Sequence, residues 1–224
     1  ACRVAAGAVG FNSVMLDYGR YQVTSRGGIT AGGISRCSPE DLFVLKGLLD
    51  PQIPLELTGN IRGVLWSKLI TVCAVTGLGG AAGLTLGRLL RERTARRLFS
   101  MVAAEGVRVA EAAGVELERF SGGVSPRLFA SGVLPLPLRF LLLKAAGIRC
   151  RDLKSNIHHS LEQGRRTEVD YLNGALAAEG EKRGVPTPVN REIVRAVHEI
   201  EAGSEKMGVH QLGRILQRAL REAR

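Results

Sequence analysis

Aromatic residues are scarce in this 224-residue chain: one tryptophan, three tyrosines and six phenylalanines make up 4%. A β-sandwich draws on such side chains, whereas the abundant alanine, glycine and leucine suit close-packed helices. The chain is therefore read as mostly helical. The four cysteines, Cys2, Cys37, Cys73 and Cys150, show no C-x-x-C and no framework spacing. That excludes a disulfide scaffold and leaves free thiols in a reducing compartment. Signal peptide, internal repeat and low-complexity tract are all missing, and the first residue is Ala1 rather than Met. On that start the chain is expected to be a fragment of something longer.

What is present is a globular composition, 45% hydrophobic and 23% charged, with length enough for one large or two small domains. The net charge of +10 raises three classes of partner: nucleic acid, a membrane surface or an anionic small molecule. The arginines are spread along the chain, and even the cluster "RLLRERTARR" is interrupted by Glu92. This reads as a solvated surface and not as a nucleic-acid stripe.

The opening stretch alternates β-prone runs with Gly and Asn turns and predicts three or four strands up to about Ile34, with only helices following. From Ser38 the period becomes helical. Ser38 is an N-cap, Pro39 takes the first position, and Leu42, Val44, Leu45, Leu48 and Leu49 form an apolar face. Further helices are expected from Asn60 and at about 85–113, 137–147, 154–182, 188–202 and 208–222, with breaks at "FSGGVSPR", "GVLPLPL" and "RGVPTPVN". The last helix is basic and amphipathic; it reads as packed on the domain with its arginines solvated, against a membrane or partner role.

Residues 69–87 carry no charge, but five glycines and three threonines weaken a membrane span. With Gly79–Gly80 breaking its centre, a buried helix followed by a glycine-rich turn is expected instead. Gly77, Gly79 and Ala82 imitate a dinucleotide fingerprint, yet the residues on both sides have helical period and no second strand follows. His158 and His159 are neighbours about 100° apart on a helix and so are poor joint metal ligands; no metal is expected. Cys73 reads as a small core residue.

Two charges fall on greasy arcs. On one continuous helix from Ile157, Leu161 lies near about 40°, Leu172 near 60° and Glu168 near 20°, which aims Glu168 at something buried. Arg165, three residues earlier, is one partner for it, and a ligand is another. Lys68 shares its arc with Ile61, Val64, Val72 and Val75, where it either snorkels outward or stands desolvated as a proton donor.

The segments "LWSKL" (65–69), "AAEGVRVAEAAGV" (103–115), "GRRTEVDYLNG" (164–174) and "GVPTPVN" (184–190) resemble the ketopantoate reductase (2-dehydropantoate 2-reductase) family, without its N-terminal nucleotide-binding half. The strands of the opening stretch resemble the end of that family's Rossmann domain. The fold this implies is mainly α: a helical domain of the 6-phosphogluconate dehydrogenase C-terminal-like kind at 37–224, after the last strands of an incomplete α/β Rossmann domain at 1–36. The activity it implies is NADPH-dependent reduction of a 2-keto acid in pantothenate biosynthesis. In that resemblance Lys68 is the general acid, and Glu168, Asn156, Ser155 and Thr76 contact substrate and cofactor. NADP would be held mainly by the missing half, leaving the fragment inactive alone. A cytoplasmic homodimer that binds neither nucleic acid nor membrane completes the expectation. Where the family carries asparagines after the lysine, this chain has Val72 and Thr76, and Leu153, Asn156 and Ser160 replace other polar positions. A bulkier or more hydrophobic 2-keto acid, or a degenerate site, is expected. The alternative from another class is a non-catalytic helical dimerisation or partner-binding module.

Overall fold

The computed structural model describes residues 3–25, 27–121, 123–130, 134–149 and 151–222, and Cys2 and Cys150 lie outside them. Cys37 and Cys73 are both free thiols. The chain divides into two compact units, residues 1–68 with 115–125, and residues 69–114 with 126–224.

The first unit is built on strands β1 (Val4–Val9), the hairpin β2 (Ser13–Asp17) and β3 (Arg20–Val23), β4 (Ile29–Ser35) and the short β5 (Leu55–Leu57). β1 and β4 pair antiparallel, with Ala6 opposite Gly32. β5 then adds parallel to β4, with Ala31 opposite Leu57. The expectation that only helices follow Ile34 is thus corrected. Three residues are too few to show a period of two, and β5 exists because β4 offers an edge to pair with.

Between β4 and β5 runs helix α1 (Pro39–Leu49), which starts as expected: Ser38 Oγ accepts from the Asp41 amide, and Asp41 Oδ2 accepts from the Ser38 amide. Its expected apolar face is only partly covered: Leu42, Leu45 and Leu49 are half-buried, while Val44 and Leu48 are exposed. Phe43 and Val44 are each 65% exposed and Leu48 71%. Helix α2 (Ile61–Val72) begins after Asn60, whose Oδ1 accepts from the Gly63 amide while its Nδ2 donates to the Glu116 carbonyl. Ala8, Ile61, Val64 and Phe120 form this unit's buried cluster.

The second unit is helical. The chain continues from α2 through a π turn (Cys73–Gly77) into α3 (Leu78–Ala82), and stops at Gly83, whose φ of 63° is left-handed. The expected break at Gly79–Gly80 does not occur, because those glycines serve helix contact. A Cβ on Gly80 would lie 2.2 Å from Ile157 Cγ2, and one on Gly77 would lie 2.6 Å from Ile193 Cγ2. By length and composition Ile61–Ala82 could cross a bilayer, but 56% of its apolar window is buried within the protein.

α4 (Leu86–Leu89), α5 (Arg93–Ala112) and α6 (Leu136–Arg149) follow, then α7 (Asn156–Glu162), α8 (Asn173–Lys182), α9 (Pro188–Glu201) and α10 (His210–Glu222). The single helix expected over 154–182 is therefore corrected. Gly164 takes a φ of 63°, the Arg165 amide turns back to the Ser160 carbonyl, and only a 3-10 turn (Val169–Tyr171) precedes α8. α10 packs on α3, α5 and α9 with Leu212, Ile215 and Ala219 buried. Its arginines are paired as well as solvated: Arg214 and Arg218 both donate to the Glu199 carboxylate.

Candidate functional site

Lys68 stands on α2 in the first unit, half-buried, on the same helix as the buried Ile61 and Val64. Burial holds its ammonium below the ordinary lysine range. No ion pair links it to any described carboxylate. A partly desolvated, unpaired ammonium is ready to give up its proton.

In the second unit two of the nominated residues meet. Ser155 caps α7: its Oγ accepts from the His158 amide at 3.1 Å and donates to the Thr76 carbonyl at 3.2 Å. Thr76 Oγ1 in turn donates to the Val72 carbonyl at 2.8 Å. Both hydroxyls are thereby engaged inside the protein, while Asn156 next to Ser155 is exposed. The two imidazoles of His158 and His159 approach one carboxylate, Glu162, at 3.2 and 3.8 Å. No group of three or more metal-ligating side chains occurs among the described residues.

Glu168 is not on an apolar helix face. It precedes the 3-10 turn with φ −90° and ψ 14°, and its side chain is exposed, so the helical-wheel placement beside Leu161 and Leu172 is corrected. Its neighbours are anchored instead. The Thr167 amide donates to Glu201 at 2.7 Å, Val169 is fully buried, and Asp170 meets His198 Nε2 at 3.0 Å. The "TEVD" segment thus fixes three residues and presents the fourth to solvent. No ion pair joins Glu168 to Arg165 among the described residues.

A buried cluster was missed in the sequence. Glu105 on α5, 3% exposed, accepts from the Val189 amide (2.8 Å), the Asn190 amide (3.0 Å) and Asn190 Nδ2 (2.6 Å). Asn190 Oδ1 accepts from Asn173 Nδ2 at 2.9 Å, and the same Nδ2 donates to the Cys73 carbonyl at 3.3 Å. Burial pushes the Glu105 carboxyl above the ordinary range, with the three hydrogen bonds and Arg108 opposing. A carboxylate at the first turn of α9 also meets the positive end of the helix dipole. The available signal was that Glu105, Asn173 and Asn190 each sit in a different quoted segment.

The family model for the ketopantoate reductase PanE/ApbA C-terminal domain matches residues 60–201. The chain belongs to the ketopantoate reductase family. The 2-dehydropantoate 2-reductase of Archaeoglobus fulgidus is 26% identical over 204 residues, covering 90% of this chain and 63% of that protein. That of Pyrobaculum aerophilum is 27% identical over 143 residues, 64% of this chain and 45% of that one. The chain spans less than two thirds of the length of these relatives. Among solved structures, a PanE/ApbA family ketopantoate reductase from Ralstonia eutropha JMP134 superposes with a TM-score of 0.69 at 27% identity, over 89% of this chain and 59% of that one. A dimeric ketopantoate reductase from Staphylococcus aureus superposes with a TM-score of 0.65 at 13% identity, over 90% and 63%, a likeness of fold alone.

Ketopantoate reductases are oxidoreductases, so the fit of a dinucleotide to this chain matters. Gly77, Gly79 and Ala82 form no phosphate cradle: they lie buried within helical structure, and Asn173 and Ile193 crowd the Cβ direction of Gly77. These three residues do not fit a pyrophosphate, for which the dinucleotide motif uses a glycine-rich turn between strand and helix.

Proposed function

We propose that this chain supplies the proton-donating and substrate side of an NADPH-dependent reductase that converts a 2-keto acid to a 2-hydroxy acid, within pantothenate biosynthesis or a related step. The observation that carries the reading is Lys68, an unpaired, half-buried ammonium with lowered proton affinity in the family's W-x-K segment. A carbonyl oxygen gains negative charge as its carbon is reduced, and a nearby ammonium both stabilises and neutralises it. Lys68 is the general acid in this reading. Glu168, Asn156, Ser155 and Thr76 are its binding residues, of which Glu168 and Asn156 are exposed while Ser155 and Thr76 are engaged with backbone carbonyls. NADPH, as the reductant, is held chiefly by residues other than those described. The enzyme is cytoplasmic and homodimeric in this reading.

The apolar residues Phe43, Val44 and Leu48, exposed on α1, favour a second reading, a helical module that associates through them. Turnover separates the two. In a protein that joins this chain to a nucleotide-binding half, assayed with NADPH and a panel of 2-keto acids, Lys68→Met should lower kcat by about 10²–10⁴-fold, the usual share of a general acid, while leaving the unfolding midpoint near that of the parent. Unchanged kcat in the folded variant, or no turnover of any 2-keto acid by the parent, overturns the catalytic reading.

A further inference from the structure

The three segments that carry the family likeness over residues 103–115, 164–174 and 184–190 each place one side chain on a single buried path. It runs from Glu105 through Asn190 and Asn173 to the Cys73 carbonyl. Its end point is the π turn Cys73–Gly77, a rare geometry that is frequent at functional sites. We infer that Asn173 is a positioning residue for the candidate site: it holds the π turn, and through the turn it places Thr76 and Ser155. The inference rests on the reductase reading of those two residues.

The turn is gripped from both sides. Asn173, wholly buried, donates to the Cys73 carbonyl, and its Oδ1 lies 2.7 Å from the point a Gly77 Cβ would occupy. Only a glycine lets the helix back onto this amide. On the other side Ser155 Oγ donates to the Thr76 carbonyl. The inserted residue of a π turn rotates everything after it by about 100° relative to a continuous α-helix. Removing the clamp favours relaxation to the α register, which carries Thr76 away from Ser155. Glu105 does not touch the turn. It fixes Asn190, which leaves Asn173 one orientation in which its Nδ2 reaches both acceptors. Asn173 Oδ1 has no hydrogen-bond partner among the described residues, so the two bonds that Nδ2 donates set the orientation of the amide, and a buried network held this way specifies one packing among several.

The test is carried out on the full 224-residue chain by NMR, with Asn173→Ala as the principal variant and Asn173→Ser, which keeps one small donor, as the variant to use if alanine does not fold. Backbone amides of residues 77–80 should exchange at least tenfold faster than in the parent, the Cys73 carbonyl ¹³C resonance should shift, and amides of 212–219 in α10 should keep their rates. Unchanged exchange at 77–80, or an equal rise throughout the chain, overturns the inference, because the first denies the clamp and the second makes Asn173 a general stabiliser only. A parallel titration of the parent with 2-keto acids tests the reductase reading separately. If the parent binds none while 77–80 respond as expected, that reading fails and the clamp stands.

Discussion

A carboxylate taken out of water is tolerated only where donors converge on it. Glu105 has three such donors, yet burial still raises its proton affinity. The consequence for stability has a definite sign. A carboxyl whose folded pKa lies above its unfolded value binds more protons when folded, so stability falls as pH rises from about 4.5 through the folded pKa. Glu105→Gln should flatten that decline, and urea midpoints of parent and variant measured between pH 4.5 and 8 will show it; parallel curves would refute the assignment. Glu199 runs the other way: burial opposes, but Arg218, Arg214 and Arg195 hold its carboxyl below the ordinary range, so its contribution is present above that range and lost in acid. The sequence shows the position of Lys68 in a W-x-K segment, but Glu168 and Glu105 are indistinguishable by residue type. Which of them is buried depends on chain reversal at Gly164, a feature that no helical wheel contains.

Helices α3, α7 and α9 approach so closely that the glycines between them act as packing surfaces. Gly80 faces Ile157 and Gly77 faces Ile193. Gly80→Ala forces a methyl group to within 2.2 Å of the Ile157 side chain. Overpacking of this kind costs about 1–3 kcal/mol, and thermal or urea unfolding should show a loss of that size; a neutral or stabilising result would mean that the α3–α7 contact opens freely. Most helices are legible from period and caps, as Ser38 and the start of α1 illustrate. β5 and the break between α7 and α8 are not. The first is too short to have a period, and the second hides because the residues beyond the break fall by coincidence on the arc of the helix before it.

The 31 lysines and arginines are spread along the chain and many pair with the 21 acidic residues, which leaves the net charge of +10 dispersed. Arg3 meets Asp41, Arg127 meets Glu111, Arg183 meets Glu179, and Arg195, Arg214 and Arg218 share Glu199. A dispersed excess gives few simultaneous phosphate contacts. The protein should therefore leave immobilised duplex DNA below about 0.2 M salt, since each phosphate contact adds steeply to the salt dependence; retention well above that would reveal a nucleic-acid surface. By itself the sequence determined the helical class, most element starts, the family and the candidate lysine, because these depend on local periodicity, caps and short motifs. Tertiary structure alone decided that the described residues leave much of the α1 face uncovered, that the glycines near residue 80 pack instead of turning, and that one side chain from each of three motifs joins a path ending at one π turn. Each of those outcomes depends on atoms distant in the chain arriving within a few ångströms of one another, and no local pattern encodes that distance.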